Sequence, residues 1–126
     1  MTGLGGWLWI AAGGAAGTLL RYALGGWLAR STGGTFPWET CAINVAGSLA
    51  IGILAGYADR GGFLSPVTRM ALMVGVLGGF TTYSSFALES LRLAMDSQWL
   101  RAAGYVGLTN AGGLAAVWAG YRIALL

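Results

Sequence analysis

Gly78 to Phe86 reads GGFTTYSSF, and it lies inside a run of 19 uncharged residues, Met70 to Leu88 (MALMVGVLGGFTTYSSFAL). A charge-free run of that length suits a helix that crosses a bilayer. Its middle does not suit a smooth helix. Each glycine weakens a helix by about 1 kcal/mol relative to Ala. Thr81, Thr82, Ser84 and Ser85 compete for backbone hydrogen bonds. The stretch therefore predicts a break near the midplane of a membrane helix. Backbone groups freed at that depth are tolerated only where something else partners them, and freed carbonyls suit a small hard cation such as Na⁺. Beyond the break, Tyr83 and Phe86 are three apart and share a helical face. Their ring edges carry partial positive charge and attract an anion without trapping it. Plain aromatic packing is the other reading of that pair.

Three further charge-free runs flank this one: Gly3 to Leu20, Thr40 to Ala58 and Ala102 to Tyr121. Each is long enough to cross roughly 30 Å of hydrocarbon. The first is expected to continue past Arg21 to Leu28, and the third to Met95. The connections are short. STGGTFPW (31–38) carries Gly33, Gly34 and Pro37, which stop a helix; DRGGFLSP (59–66) and DSQW (96–99) complete the set. The expectation is one all-α integral membrane domain over residues 1–126, with four spans. Trp7, Trp9, Tyr57 and Tyr121 mark one interface, and Trp27, Trp38 and Trp99 the other. The amino terminus has no basic region of the kind that opens a cleavable signal.

Of the 126 residues, 56% are hydrophobic and only 9% charged, far below the roughly one quarter of soluble domains. All seven basic residues are Arg, and there is no His. An all-Arg cation set attracts anions, although arginines are also ordinary near membrane helix ends. Cys41 is the sole cysteine, so it forms no disulfide within the chain. Arg60, Arg69 and Arg122 fall on the side of the termini; Arg30, Arg92 and Arg101 fall on the other, with Arg21 a turn or two inside. The positive-inside rule then sets almost no orientation. A chain without a preferred orientation can insert both ways and pair as an antiparallel homodimer. A topology fixed by other means is the alternative. Gly13/Gly17, Gly52/Gly56 and Gly75/Gly79 have the spacing that brings membrane helices together, which is consistent with oligomer formation.

Each polar group inside a span needs a partner or a water-filled path. Thr40, Asn44 and Ser48 form a stripe along the second span. In the fourth, Tyr105 and Thr109 are four apart, with Gly113 next at the same interval and Asn110 beside them. Such a ladder either lines a path or bonds back to its own helix. Glu89 and Arg92, three apart, can pair on the helix surface. Arg21 either snorkels outward or stands at a pore mouth, raising the local anion concentration.

The run GGFTTYSSF followed by Glu89 resembles the Fluc (CrcB) fluoride channel family. So do GAAGTLLRY (14–22) and TCAINVAGS (40–48), and the likeness covers nearly the whole chain. The resemblance implies a dual-topology homodimer in the inner (plasma) membrane with two antiparallel fluoride pathways, exporting F⁻ passively. It implies pathway roles for Asn44, for the aromatics Tyr83 and Phe86, and for the hydroxyl track of Ser84, Ser85, Tyr105 and Thr109, with Thr40 on the same stripe as Asn44. Arg21 matches the vestibule arginine and Glu89 the acid after the motif. Gly78 and Thr81 match the break whose backbone carbonyls, from both subunits, hold a structural Na⁺. Two positions depart from the pattern: Tyr83 stands where Phe is common, and Gly113 stands where a further hydroxyl would extend the track.

Other classes fit less well. A small multidrug-resistance exporter needs an acid inside the first span, and this chain has none there. A non-transporting packing subunit would use the same glycines and hydroxyls but carry no ion. The sequence holds no nucleophile–base set, phosphate loop or basic surface that would indicate an enzyme or a nucleic-acid binder.

Overall fold

A computed structural model describes residues 3–126. The described chain is helical throughout. Helix α1 runs Leu4–Thr32 and α2 runs Trp38–Asp59. The first half of a third rod runs from α3 (Pro66–Arg69) through a π-helical segment (Met70–Val76) to α4 (Leu77–Phe80). After a two-residue break come α5 (Tyr83–Met95) and α6 (Trp99–Ala124).

The ends fall where local chemistry puts them. The α1 C-terminus is closed by Gly33 with φ 79°, and Gly34 follows at φ 69°; this left-handed backbone strains any residue with a Cβ. Pro37 directly precedes α2. Ser65 caps α3 by accepting from the Thr68 N–H at 3.1 Å, with Pro66 at the first helical position, the position where a missing N–H is least harmful.

Arg21 does not end the first helix, which continues past the expected Leu28. The third rod reaches Met95, as expected. Its break lies near the middle of the 30-residue stretch Pro66–Met95. That stretch and Trp38–Asp59 are both long and apolar enough to cross a membrane. The other two rods, of 29 and 26 residues, are also long enough to span, but glycine and tryptophan dilute their hydropathy. Large side chains along these rods point outward, among them Trp7, Trp27, Trp99, Leu19, Leu114 and Trp118, as a lipid-facing surface requires.

Two helix pairs hold the fold. The α2 helix lies along α6, and α1 lies along the π-helical segment and α4. Glycines set both crossings. A Cβ on Gly52 would run into the Val117 carbonyl, and one on Gly120 into the Leu49 carbonyl. A Cβ on Gly13 would come within 2.5 Å of the Ala71 carbonyl, and one on Gly79 equally close to the Gly14 carbonyl. The small-residue spacings were read above as consistent with an oligomer; the structure uses all three pairs to join helices of a single chain. Close backbone approach supplies the van der Waals contact that replaces hydrophobic drive inside lipid. The buried apolar cluster is small: Cys41, Phe86, Leu93, Ala102 and Tyr105, between α2, α5 and α6. At the far ends of α2 and α6, the Tyr121 hydroxyl donates to Asp59 Oδ2 (2.9 Å) and Arg60 Nη1 to the Ala124 carbonyl (3.0 Å).

Gly17 tests this packing most directly, because its Cβ would meet the Val76 carbonyl and the Phe80 nitrogen. Gly17→Val is expected to lower stability in detergent by at least about 1–3 kcal/mol, the usual range for overpacking, and to broaden the size-exclusion peak. Gly104→Ala, with nothing within 4 Å of its Cβ, is expected to leave both the thermal midpoint and the elution profile unchanged.

Candidate functional site: the helix break and its two cavities

At the break, Thr81 and Thr82 are extended, with φ/ψ of −80°/159° and −148°/117°. Asn44 on α2 holds this backbone with both halves of its amide. Its Nδ2 donates to the Thr82 carbonyl (2.9 Å), and its Oδ1 accepts from the Thr82 N–H (2.8 Å). In an unbroken helix that N–H would have bonded the Gly78 carbonyl four residues back. Thr82 then starts the next helix: its hydroxyl oxygen caps α5 by accepting from the Ser85 N–H (3.3 Å) and donates to Ser85 Oγ (3.1 Å). Thr81 Oγ1 turns back to the Leu77 carbonyl (2.9 Å). Arg21 reaches across from α1, and its Nε donates to the Gly79 carbonyl (3.0 Å).

A second polar cluster lies one and two turns further along α5. Glu89 accepts from the Thr40 hydroxyl (2.9 Å) with Oε1 and from the Tyr105 hydroxyl (2.6 Å) with Oε2. It thus turns inward instead of pairing with the exposed Arg92 on its own helix, the arrangement its spacing had suggested. The two hydroxyls it meets belong to the buried Thr40 and Tyr105, which need a partner, and a hydrogen bond to a carboxylate is roughly twice as strong as a neutral one. Phe86 meets the Tyr105 ring edge-on at 5.3 Å, and Tyr83 lies 5.7 Å from Phe86. Phe86 is buried, whereas Tyr83 is 80% exposed.

The remaining sequence-predicted residues divide. Ser85 is half-buried beside Thr82, and Ser84 points outward. Thr109 is buried, and its Oγ1 has no hydrogen-bond partner among the described residues. Ser48 Oγ bonds back to the Asn44 carbonyl (2.7 Å), and Asn110 bonds back to Val106 (2.8 Å). The stripe of Thr40, Asn44 and Ser48 therefore serves three partners: the Glu89 carboxylate, the break and its own helix. At Gly113, a Cβ would lie 3.4 Å from Ser48 Oγ, so α2 brings a hydroxyl to the place where the α6 track lacks one.

Two open cavities adjoin these groups. One, of about 310 Å³, lies at the break and is lined by Asn44, Ser48, Gly78, Thr81, Thr82 and Tyr83. The other, of about 600 Å³, is lined by Arg21, Arg30, Glu39, Thr40, Thr82 and Ser85, among others. Thr82 borders both. Its role was missed by sequence reasoning, although a Thr three residues before Ser85 is an ordinary helix-start signal. Arg21's bond to the break, and Glu39 in the wall of the second cavity, had no signal in spacing alone.

No group of three or more His, Cys, Asp or Glu among the described residues is arranged to hold a metal. A cation here would be held by neutral carbonyls. Gly78 suits that: it faces the first cavity, and nothing comes nearer than 3.9 Å to the place of a Cβ. A hard ion needs about six oxygens, more than Gly78 and Thr81 of one chain offer.

A helix broken at GGFTTYSSF and clamped by an asparagine of the preceding helix is a specific arrangement. The family model described as CrcB-like protein, Camphor Resistance (CrcB), matches residues 8–121. The chain belongs to the CrcB family. Similar curated proteins come from several bacteria. One from Rhodospirillum rubrum is 45% identical over 122 residues, 95% of this chain and 95% of the relative. One from Opitutus terrae is 47% identical over 121 residues, 94% of this chain and 92% of the relative. One from Sorangium cellulosum is 45% identical over 103 residues, 82% and 81%. All three bear the name fluoride-specific ion channel FluC. In this CrcB chain the matched region contains the entire break, both cavities and the Glu89 cluster.

Removing the clamp isolates its structural share. Asn44→Ala leaves the part-buried Thr82 N–H and carbonyl without their side-chain partners, at up to about 1–3 kcal/mol for each unsatisfied group. Thermal unfolding in detergent is expected to show a clear drop for Asn44→Ala. Ser48→Ala, which loses only a bond within its own helix, should stay near the parent.

Proposed function

We propose that this protein is a fluoride-specific channel that lets F⁻ leave the cell passively through the inner membrane. The observation that carries the reading is the break. Its backbone is tied down by Asn44 and Arg21, and it stands between two cavities into whose largely apolar walls Asn44 and the hydroxyls of Thr40, Ser48, Thr81, Thr82 and Ser85 are set, with Arg21 and Arg30 in the larger. The names of relatives matching over nearly the full chain support the same reading.

Fluoride is small and strongly hydrated, so a path across lipid must replace water's hydrogen-bond donors. Hydroxyls and an amide do this without the tight hold of a buried cation, which lets the ion leave again. Arg21 and Arg30 in the larger cavity raise the anion concentration at its mouth. Asn44 keeps one of its two N–H groups beyond the bond to Thr82. From there the path runs past Thr82 and Ser85 to the ring edges of Phe86 and Tyr83, then to the hydroxyl of Thr109, unpartnered among the described residues, beside Tyr105, whose O–H is given to Glu89. Ser84, which points outward in one chain, would reach the path only from a partner. Glu89, held by Thr40 and Tyr105, fixes the orientation of both hydroxyls. The process is conduction down a gradient, and no bond is made or broken.

The functional unit in this reading is an antiparallel homodimer. Tyr83 is largely exposed in the single chain, and Gly78 and Thr81 open onto an uncovered cavity. A second, inverted copy would cover these groups and double the carbonyls from Gly78 and Thr81, enough to begin coordinating a structural Na⁺. The near-equal distribution of arginine between the two faces permits such insertion.

Purified protein in liposomes, followed with a fluoride electrode, tests this. Fluoride-loaded vesicles are expected to empty when membrane potential is relieved, while chloride-loaded vesicles stay full. Phe86→Ile is expected to reduce release at least tenfold. Purification with Na⁺ replaced by a large organic cation is expected to lower fluoride release, and restored Na⁺ to recover it. Vesicles that retain fluoride would sink the reading; a four-helix packing subunit would give that result.

A further inference from the structure

Glu39 has an environment that the conduction pathway does not explain. It sits in the first turn of α2 next to Thr40. It borders the cavity lined by Arg21, Arg30, Thr82 and Ser85, and also a cavity of about 300 Å³ lined by Phe36, Glu89, Arg92 and Asp96. Its Oε2 is shut off from solvent and has no hydrogen-bond partner among the described residues. Glu89 differs, since each of its oxygens has a hydroxyl donor. An acid at a helix N-terminus is favoured by the helix dipole. That accounts for an acid in this turn, but not for a carboxylate oxygen buried without a donor beside an arginine-lined cavity.

We propose that Glu39 sets the rate at which fluoride enters: its negative charge opposes the anion that Arg21 and Arg30 draw in, and neutralising it speeds conduction. The inference rests on the fluoride reading. The charged and titratable groups around it are Arg21 and Arg30 from α1, Glu89, Arg92 and Asp96 from the α5 side, and Tyr105 of α6, which is bonded to Glu89. A charge in a cavity wall acts on ion concentration through the local potential, so its effect is largest at low fluoride and low ionic strength.

Fluoride currents across planar bilayers containing the full protein test the proposal, since neutral hydrogen fluoride carries no current. At neutral pH and low ionic strength, Glu39→Gln is expected to conduct several-fold more than the parent, with the gain shrinking as salt is raised. Glu39→Asp, which keeps the charge, is expected to stay near the parent. A well-folded Glu39→Gln with a current equal to or below the parent overturns the proposal. So does a gain in Glu39→Gln that does not shrink as salt is raised, or an equal gain in the charge-keeping Glu39→Asp. A parent silent to fluoride overturns the fluoride reading and this one together; a conducting parent whose current Glu39→Gln does not raise overturns this one alone.

Discussion

The structure depends on one small exchange of hydrogen bonds. A helix interrupted inside a membrane frees backbone groups that water cannot reach, at several kcal/mol each. Here Asn44 meets the interruption with an acceptor and a donor, both directed at Thr82. Thr82 is thereby free to cap the following helix, and Arg21 takes up the Gly79 carbonyl. Without that replacement the Thr82 N–H and carbonyl would stand unpartnered at the centre of the rod. The local sequence places the break, and one amide on a neighbouring helix satisfies it.

Much of this was legible in the sequence because the determinants are local. Gly78-Gly79 followed by four hydroxyls specified where the third rod breaks, and charge-free length specified the four rods. The i, i+4 rule placed Thr40, Asn44 and Ser48 on one stripe. What was not legible depends on which helix lies against which. Spacing suggested that Glu89 would meet Arg92, yet its partners are Thr40 of α2 and Tyr105 of α6. The small-residue motifs were visible, but sequence could not say whether they join helices of one chain or of two. Thr82 was readable as a helix start and was passed over. Arg21's bond and Glu39's enclosed oxygen arise only from the way α1, α2 and the broken rod converge.

The two glycine-lined crossings divide the work. One pair, α2 with α6, forms a stiff unit latched at its far end by Asp59 and Tyr121, and by Arg60 and the terminal carbonyl. The other, α1 with the first half of the broken rod, carries Arg21. The break is where the two units meet, so the residues proposed to escort the ion stand at the seam between them. Rigid backbone on both sides keeps those few polar groups in register, which matters when a small ion must exchange one donor for the next.

The π-helical segment Met70–Val76 has a consequence of its own. Such a segment accommodates roughly one residue more than a regular helix of the same rise, and each residue turns a helix by about 100°. The wide turn therefore works as a phase shifter. It rotates everything after Val76, the two threonines included, by roughly a quarter revolution without lengthening the rod. Shortening this segment by one residue would leave every side chain in the motif intact and aim the whole set at the wrong neighbour.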